Sequence, residues 1–274
     1  MATKRKRIES KIHNASAFND RICNLVPSKD TQSDWSYSDV QGVALTAAPI
    51  PATLDLRKPW WTINNQENTG SCVGWAAADS LLRYQLVVAN RLQKSELLSP
   101  RFVWMASKET DEFVSRPETF IEAAGTSLKA SLDVLRRYGC VLDSELPFGI
   151  RTLMYADNPN TFFASASTRK IANYVNMRKN ADEWKAWLFS VGPILVGLNV
   201  DATWRKAHQT GGNLDVFVPS TSGGGHAVCI VGYKNDRFII RNSWGAEWGD
   251  NGFGYASPDY IAEAFFPESY GITL

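Results

Sequence analysis

Three short stretches of this 274-residue chain carry side chains that could do covalent chemistry: Gln66-Glu67-Asn68-Thr69-Gly70-Ser71-Cys72, then His226-Ala227-Val228, then Asn242-Ser243-Trp244-Gly245. Cys, His and Asn in that order are the parts of a thiol nucleophile, its base and the group that orients the base. A thiol is a poor nucleophile until it loses its proton. An imidazole beside it can take that proton, and the positive end of a helix dipole can stabilise the thiolate. An amide such as Asn242 can hold the imidazole ring in one plane. The chemistry of such a set is acyl transfer, with an oxyanion to be stabilised by nearby N–H donors.

The residues after Cys72 have the pattern that this chemistry needs. A central helix is expected from Cys72 to Asn90, apolar at Val73, Ala76, Ala77, Leu81, Val87 and Val88, with Gly70 supplying the turn before it. A second helix over Arg101 to Lys108 has Ser99 as its cap and Pro100 at its first position. A third spans Ser127 to Tyr138 and stops at Gly139. A short fourth covers Ala181 to Phe189. The pattern then changes. Pro193 to Leu198, Ala227 to Tyr233, Arg237 to Arg241 and Gly252 to Tyr255 are predicted strands, with Lys234-Asn235-Asp236 as a hairpin turn. Helices first and strands later is an α+β layout, with the thiol on a helical half and the imidazole on a β half. The cleft between such halves suits an extended peptide.

At these residues the chain resembles the papain-like cysteine peptidases, over Pro51 to the C-terminus. Gln66 stands six residues before Cys72, where the family places the glutamine of its oxyanion hole, and His226 and Asn242 are sixteen apart, as in the family. Asn242-Ser243-Trp244-Gly245, with Trp248-Gly249 and Gly252-Phe253-Gly254-Tyr255, matches the family's Asn-Ser-Trp-Gly block and the glycine-rich strands after it. Asp55-Leu56-Arg57 resembles the start of a mature papain-like domain. The resemblance implies a two-lobed fold, a helical N-terminal lobe with a central helix and an antiparallel β C-terminal lobe. It implies peptide-bond hydrolysis through a thioester acyl-enzyme. Cys72 would be the nucleophile, His226 the acid–base, Asn242 its orienter and Gln66 an oxyanion donor. Trp244 would shield the His–Asn hydrogen bond. Gly125, Thr126, Ser127, Leu128 and Gly225 would meet the substrate, and no cofactor or metal would be needed. The chain departs from the family at Thr69-Gly70-Ser71-Cys72-Val73, which lacks the usual first cysteine of the signature and its aromatic. The distance from Cys72 to His226 is also longer than usual, so an insertion is expected between them. These departures resemble bacterial, disulfide-poor members more than lysosomal ones.

Composition fits one enzyme-sized globular unit, 44% hydrophobic and 21% charged. A net charge of +1 gives no broad attraction to nucleic acid or membrane, and no apolar run reaches transmembrane length. A monomer acting on peptide or protein is the expected partner state. Of the cysteines, Cys229 sits in an apolar run and Cys140 after a helix end. Free thiols in a reducing, cytoplasmic compartment are expected, with a Cys23–Cys140 disulfide as the alternative. The basic start of the chain has no apolar segment after it, so no secretory signal is visible. His13 and His208 read as surface residues, and with no Cys-x-x-Cys pair there is no metal pattern.

Residues 1–50 read as an N-terminal extension to a catalytic domain over 51–274. Lys4-Arg5-Lys6-Arg7 reads as a solvated tail. Ile22, Leu25, Val26, Trp35 and Tyr37 are spaced apolar anchors, which favours a belt packed on the catalytic domain over a cleaved inhibitory pro-peptide. Two rival functions share the motifs: an amidase or transpeptidase on the same scaffold, and a binding protein on a silent peptidase fold. The intact set of Cys72, His226, Asn242 and Gln66 weighs against the second.

Overall fold

Cys72–Gly74, Trp75–Leu82 and Arg83–Val88 run end to end as one buried central helix in the computed structural model, which describes residues 20–44, 49–110, 123–149 and 159–274. Lys4 to Arg7 and His13 lie outside the described residues. The middle stretch is π-wound: the Arg83 N–H reaches the Ala78 carbonyl, five residues back. That frees the Asp79 carbonyl, which accepts from Trp61 Nε1 at 2.9 Å. A side chain inserted into the helical ladder is a usual cause of such a bulge. The helix ends two residues earlier than expected. Asn90 takes a left-handed φ of 56°, and the Arg91 N–H closes on Leu86 O at 2.8 Å. Val88, expected in the core, is exposed.

The central helix is pinned to the β half by charge. Asp79 bonds Arg83 Nη1 at 3.2 Å and Arg241 Nη2 at 2.7 Å, and all three side chains are almost wholly buried. Arg241 also lies over the Trp61 ring, 4.7 Å from its centre. Asp79→Ala leaves two guanidinium groups buried without their carboxylate. It is expected to cost about 3–5 kcal/mol, read as a fall in Tm or in the denaturant midpoint. A shift within error would mean that water reaches the pair.

The other expected helices form close to their sequence signals. Pro100–Thr110 begins with the Phe102 N–H donating to Ser99 Oγ at 3.1 Å. Leu128–Arg137 is capped by Ser127, whose Oγ accepts from Ala130 N at 3.2 Å, and Gly139 follows with φ 88°. Ala181–Ser190 is capped by Asn180. Among the described residues four further α-helices had no expectation: Tyr37–Ala44, Pro159–Ser167, Ala202–Lys206 and Pro258–Ala264.

The β half is one eight-stranded sheet. Its strands are β1 Leu54–Asp55, β2 Asn173–Asn176, β3 Ile194–Asn199, β4 Asn213–Leu214, β5 Gly225–Lys234, β6 Arg237–Arg241, β7 Phe253–Ala256 and β8 Phe265–Thr273. The order is β2-β8-β3-β5-β6-β7-β4, with β1 also on β5. All pairs are antiparallel except β4 with β7. Asn235 and Asp236, with φ of 50° and 57°, make the two-residue turn between β5 and β6. β8 gave no clear strand pattern because Pro267 and Glu268 interrupt it. They are accommodated where the register with β3 slips, between the Gly197–Phe266 and Val196–Ser269 pairs.

Both faces of the sheet are covered, so β5 is buried along almost its whole length. Ala227, Cys229 and Val231 face the central helix, and Val228 and Ile230 join the opposite cluster with Trp184, Trp204, Trp244 and Trp248. Period-two alternation therefore sends His226, in step with Val228, toward the tryptophans. Four described cysteines are all free, and Cys140 sits in the helical core with its thiol toward Ser99 O, so the Cys23–Cys140 alternative does not form.

Candidate active site

Cys72 is the first residue of the central helix and is fully buried. The loop before it is held by its own side chains. Thr69 Oγ1 donates to Gln66 O at 2.7 Å and lies 2.6 Å from Ser71 Oγ. Gln66 is fully buried, its amide fixed at both ends. Nε2 donates to Thr69 O at 2.9 Å, and Oε1 accepts from Ser243 Oγ at 2.8 Å. One N–H of that amide is left for another acceptor. The same loop is laced to the β half by Gln66 N to Ser243 O at 2.7 Å and Gly245 N to Asn64 O at 3.1 Å. Glutamine loop and Asn-Ser-Trp-Gly block are thus one seam between the halves.

His226 Nε2 lies 2.8 Å from Asn242 Oδ1. That oxygen is itself positioned by the Ser243 N–H at 2.8 Å, and the Asn242 N–H by Gly252 O at 3.1 Å. The bond commits one ring nitrogen. Nδ1 is buried with no hydrogen-bond partner. Two tryptophans flank the ring and a third backs them. Trp244 lies 5.0 Å from it, tilted by 39°, and Trp204 stands perpendicular to it at 5.6 Å. Trp248 stacks against Trp204 at 5.2 Å and donates Nε1 to its carbonyl at 2.8 Å. Trp204 was not anticipated from sequence. The signal was Asp201, which caps the short Ala202–Lys206 helix carrying Trp204. Its buried carboxylate accepts from Thr203 N at 3.1 Å, Val218 N at 2.7 Å and Tyr260 Oη at 2.8 Å.

The N-terminal segment does more than wrap the domain: it runs through the cleft. The Leu25 N–H donates to Gly225 O at 2.9 Å and the Val26 N–H to Thr126 O at 3.1 Å. Arg21 Nη1 reaches Asn65 Oδ1 at 2.9 Å and also the Glu67 carbonyl. Asn24 lies between the two halves: its side-chain amide donates to Ala123 O, and a Cβ on Gly70 would come 2.7 Å from its Nδ2. A Cβ on Gly125 would overlap the Asn24 carbonyl oxygen. Leu25 is buried against Gly197, Gly225 and Phe266. Beyond the cleft, Ser28 donates from its N–H and its hydroxyl to the buried Glu268. Asp34 pairs with Lys129 at 2.5 Å and accepts from Tyr270 Oη at 2.9 Å. Of the expected anchors Leu25 and Tyr37 are buried and Ile22 and Val26 half-buried, while Trp35 is 66% exposed.

Burial at the site acts on the ionisation of both groups. Burial pushes the Cys72 thiol up to about 11, partly offset by the Ala227 N–H. Burial holds His226 down at about 4, against a smaller upward pull from Asn242. An activated thiolate was expected here. Burial instead favours the uncharged thiol and the uncharged imidazole, because neither charge has water to stabilise it.

The other site residues separate into two groups. Gly125, Thr126 and Gly225 give backbone contacts to the strap. Ser127 is a helix cap, and Leu128 is fully buried in the same cluster as Leu25. His208 is half-buried. Among the described residues no three His, Cys, Asp or Glu could hold a metal ion, and no helix is long and apolar enough to cross a membrane.

A family model described as papain family cysteine protease matches residues 50–262. Cathepsin J of Mus musculus is 26% identical over 225 residues, 77% of this chain and 61% of its own length. An uncharacterized peptidase C1-like protein of Acanthamoeba polyphaga mimivirus is 52% identical over 218 residues, 73% of this chain and 65% of its own. The chain therefore spans just under two thirds of these curated relatives. Among solved structures, xylellain, a cysteine protease from Xylella fastidiosa, superposes with a TM-score of 0.74 at 21% identity, covering 93% of this chain and 96% of that one. Procathepsin B S9 from Trypanosoma congolense gives 0.68 at 14% identity, covering 94% and 87%. At those identities the structures speak for the fold. The relatives include a mammal and a virus as well as a bacterium, so the bacterial expectation is not narrowed. The match to the family model, over most of the chain and both halves of the cleft, makes this protein a member of the papain family of cysteine proteases.

Proposed function

We propose that the protein is a cysteine peptidase that hydrolyses peptide bonds through a thioester at Cys72, and that its own N-terminal segment keeps it closed. The observation that carries this reading is the imidazole of His226, tied through Nε2 to Asn242 with Nδ1 left unpartnered, on the strand whose next residue, Ala227, packs with Cys72. With the strap displaced and the pair solvated, His226 takes the Cys72 proton, and the thiolate attacks the substrate carbonyl. The Cys72 N–H and the remaining Gln66 N–H hold the oxyanion. His226 then protonates the leaving amine and activates water. Trp244, with Trp204, excludes water from the His–Asn bond. Gly125, Thr126 and Gly225 already hold an extended backbone, that of residues 24–26, which supports a peptide as the substrate. Free thiols support a reducing, cytoplasmic setting, and the chain acts as a monomer without a cofactor.

Two measurements test this. A chain starting at Pro49 is incubated with a mixed peptide library, and cleavage is read by mass spectrometry. Cleavage that is lost on thiol alkylation supports the reading, and no cleavage at any pH sinks it. Amine acceptors added to the same assay should not divert product, as they would in a transpeptidase. Gln66→Ala removes a donor used in the transition state, and kcat is expected to fall by about 10²–10³ with KM little changed. Loss confined to KM would make Gln66 a ground-state contact only.

A further inference from the structure

The strap carries a second thiol into the cleft. The Cys23 carbonyl abuts Gly224, two residues before His226, and the Asn24 side chain abuts Gly70, two residues before Cys72. Cys23 is thus bracketed by the chain segments that present the reacting pair. We propose that Cys23 is a resolving cysteine for Cys72: peroxide joins the two sulfurs in a disulfide that bolts the strap across the cleft, and a dithiol releases it. This rests on the reading of Cys72 as the reactive thiol.

Three observations favour this pairing. The first is position. Of the other thiols, Cys140 points to Ser99 O and Cys229 to Ala76 O, both inside the helical core, whereas Cys23 abuts Gly224 and packs against the cluster that holds Trp204 and Trp244, the rings beside His226. The second is electrostatic reach. The Cys23 thiol is pushed up to about 12, first by burial and next by the Cys72 sulfur, so the two groups feel each other. The third is anchoring. Leu25 and Val26 bond to Gly225 and Thr126 on one side of Cys23, and Arg21 to Asn65 and Glu67 on the other. A cysteine pinned on both sides loses little further freedom when it is cross-linked.

The chemistry balances with hydrogen peroxide as oxidant. When the strap opens, Cys72 is solvated beside His226 and reacts as the thiolate. Its sulfur bonds to one peroxide oxygen, the O–O bond breaks, and the departing hydroxide leaves as water, giving a sulfenic acid. When the strap closes, the Cys23 sulfur attacks that sulfur. The S–S bond forms, the S–O bond breaks, and the Cys23 proton passes through the unpartnered His226 Nδ1 to the departing hydroxide. Two thiols lose two hydrogens and one peroxide becomes two waters. Cys72 is fully buried in the closed state, so peroxide reaches it only on opening, and Cys23 meets the oxidised sulfur only on closing, so the lock records a strap that moves.

The test uses the full chain with near-equimolar hydrogen peroxide, blocking with iodoacetamide under denaturant, and peptide mapping without reductant. The expected product is one cross-linked peptide pair holding Cys23 and Cys72, with Cys140 and Cys229 alkylated, and dithiothreitol returns Cys72 to an alkylatable thiol. In C23S no cross-link forms, and Cys72 proceeds to the sulfinic acid, which dithiothreitol does not restore. A full chain in which Cys72 becomes sulfinic while Cys23 stays a thiol, or in which Cys23 pairs with Cys140, overturns the proposal. The mapping does not depend on turnover. A Cys23–Cys72 link in a protein that cleaves no peptide sinks the peptidase reading alone. Cleavage by the chain from Pro49, with no link in the full chain, sinks the lock alone.

Discussion

Replacing Cys72 by alanine is expected to abolish peptide cleavage while leaving the fold intact. In the proposed mechanism the sulfur forms the covalent bond to the acyl group. Losses of about 10⁶ in kcat accompany removal of a nucleophile from a comparable hydrolase triad. The structural cost is small by comparison. One fully buried sulfur is removed from the start of a helix whose remaining side chains still pack, so destabilisation should stay near 1–2 kcal/mol, about the cost of deleting a small buried group. The measurement is turnover of a library-derived peptide by the chain starting at Pro49, beside its thermal melt. Residual activity within about tenfold of the parent, with an unchanged melt, would assign the chemistry to another residue.

Deleting the strap is the second large effect. A chain starting at Pro49 is expected to be more active than the full chain and less stable. The strap crosses the cleft with the Leu25, Val26, Arg21 and Asn24 hydrogen bonds and buries Leu25. Each such bond contributes about 0.5–1.5 kcal/mol net. Closure worth only about 1.4 kcal/mol already leaves one site in ten open, so activation should exceed about tenfold. The thiol gives an independent reading. With the strap in place Cys72 sits at about 11, so it is protonated at neutral pH and iodoacetamide alkylates it slowly, faster only as pH rises toward that value. With the strap gone the thiol regains water and the imidazole, its pKa falls, and alkylation becomes fast at neutral pH. A truncated chain with a lower melt, but unchanged activity and alkylation, would mean that the segment is a belt and nothing more.

The sequence by itself marked out the proposed chemistry-bearing set and most of its local supports. Gln66, Cys72, His226 and Asn242 declare themselves through residue type and spacing. Ser99, Ser127 and Gly139 mark helix ends because capping is a local hydrogen-bond problem, solved within four residues of chain. The Asn235-Asp236 turn is local in the same sense: two left-handed residues suffice. Tertiary structure alone decided the rest. Trp204 faces His226 because Asp201 ties its short helix to Val218 and Tyr260, residues that no sequence window joins. The π-turn in the central helix leaves the Asp79 carbonyl to Trp61, a partner outside the helix. β8 is a strand because β2 and β3 flank it, and its own Pro267 and Glu268 argue otherwise. The protonation of Cys72 and His226 was read from their types as an activated pair. Burial favours the uncharged forms of both, an effect that acts on charge through space, and the spacing of the apolar anchors does not say which groove residues 20–28 will fill.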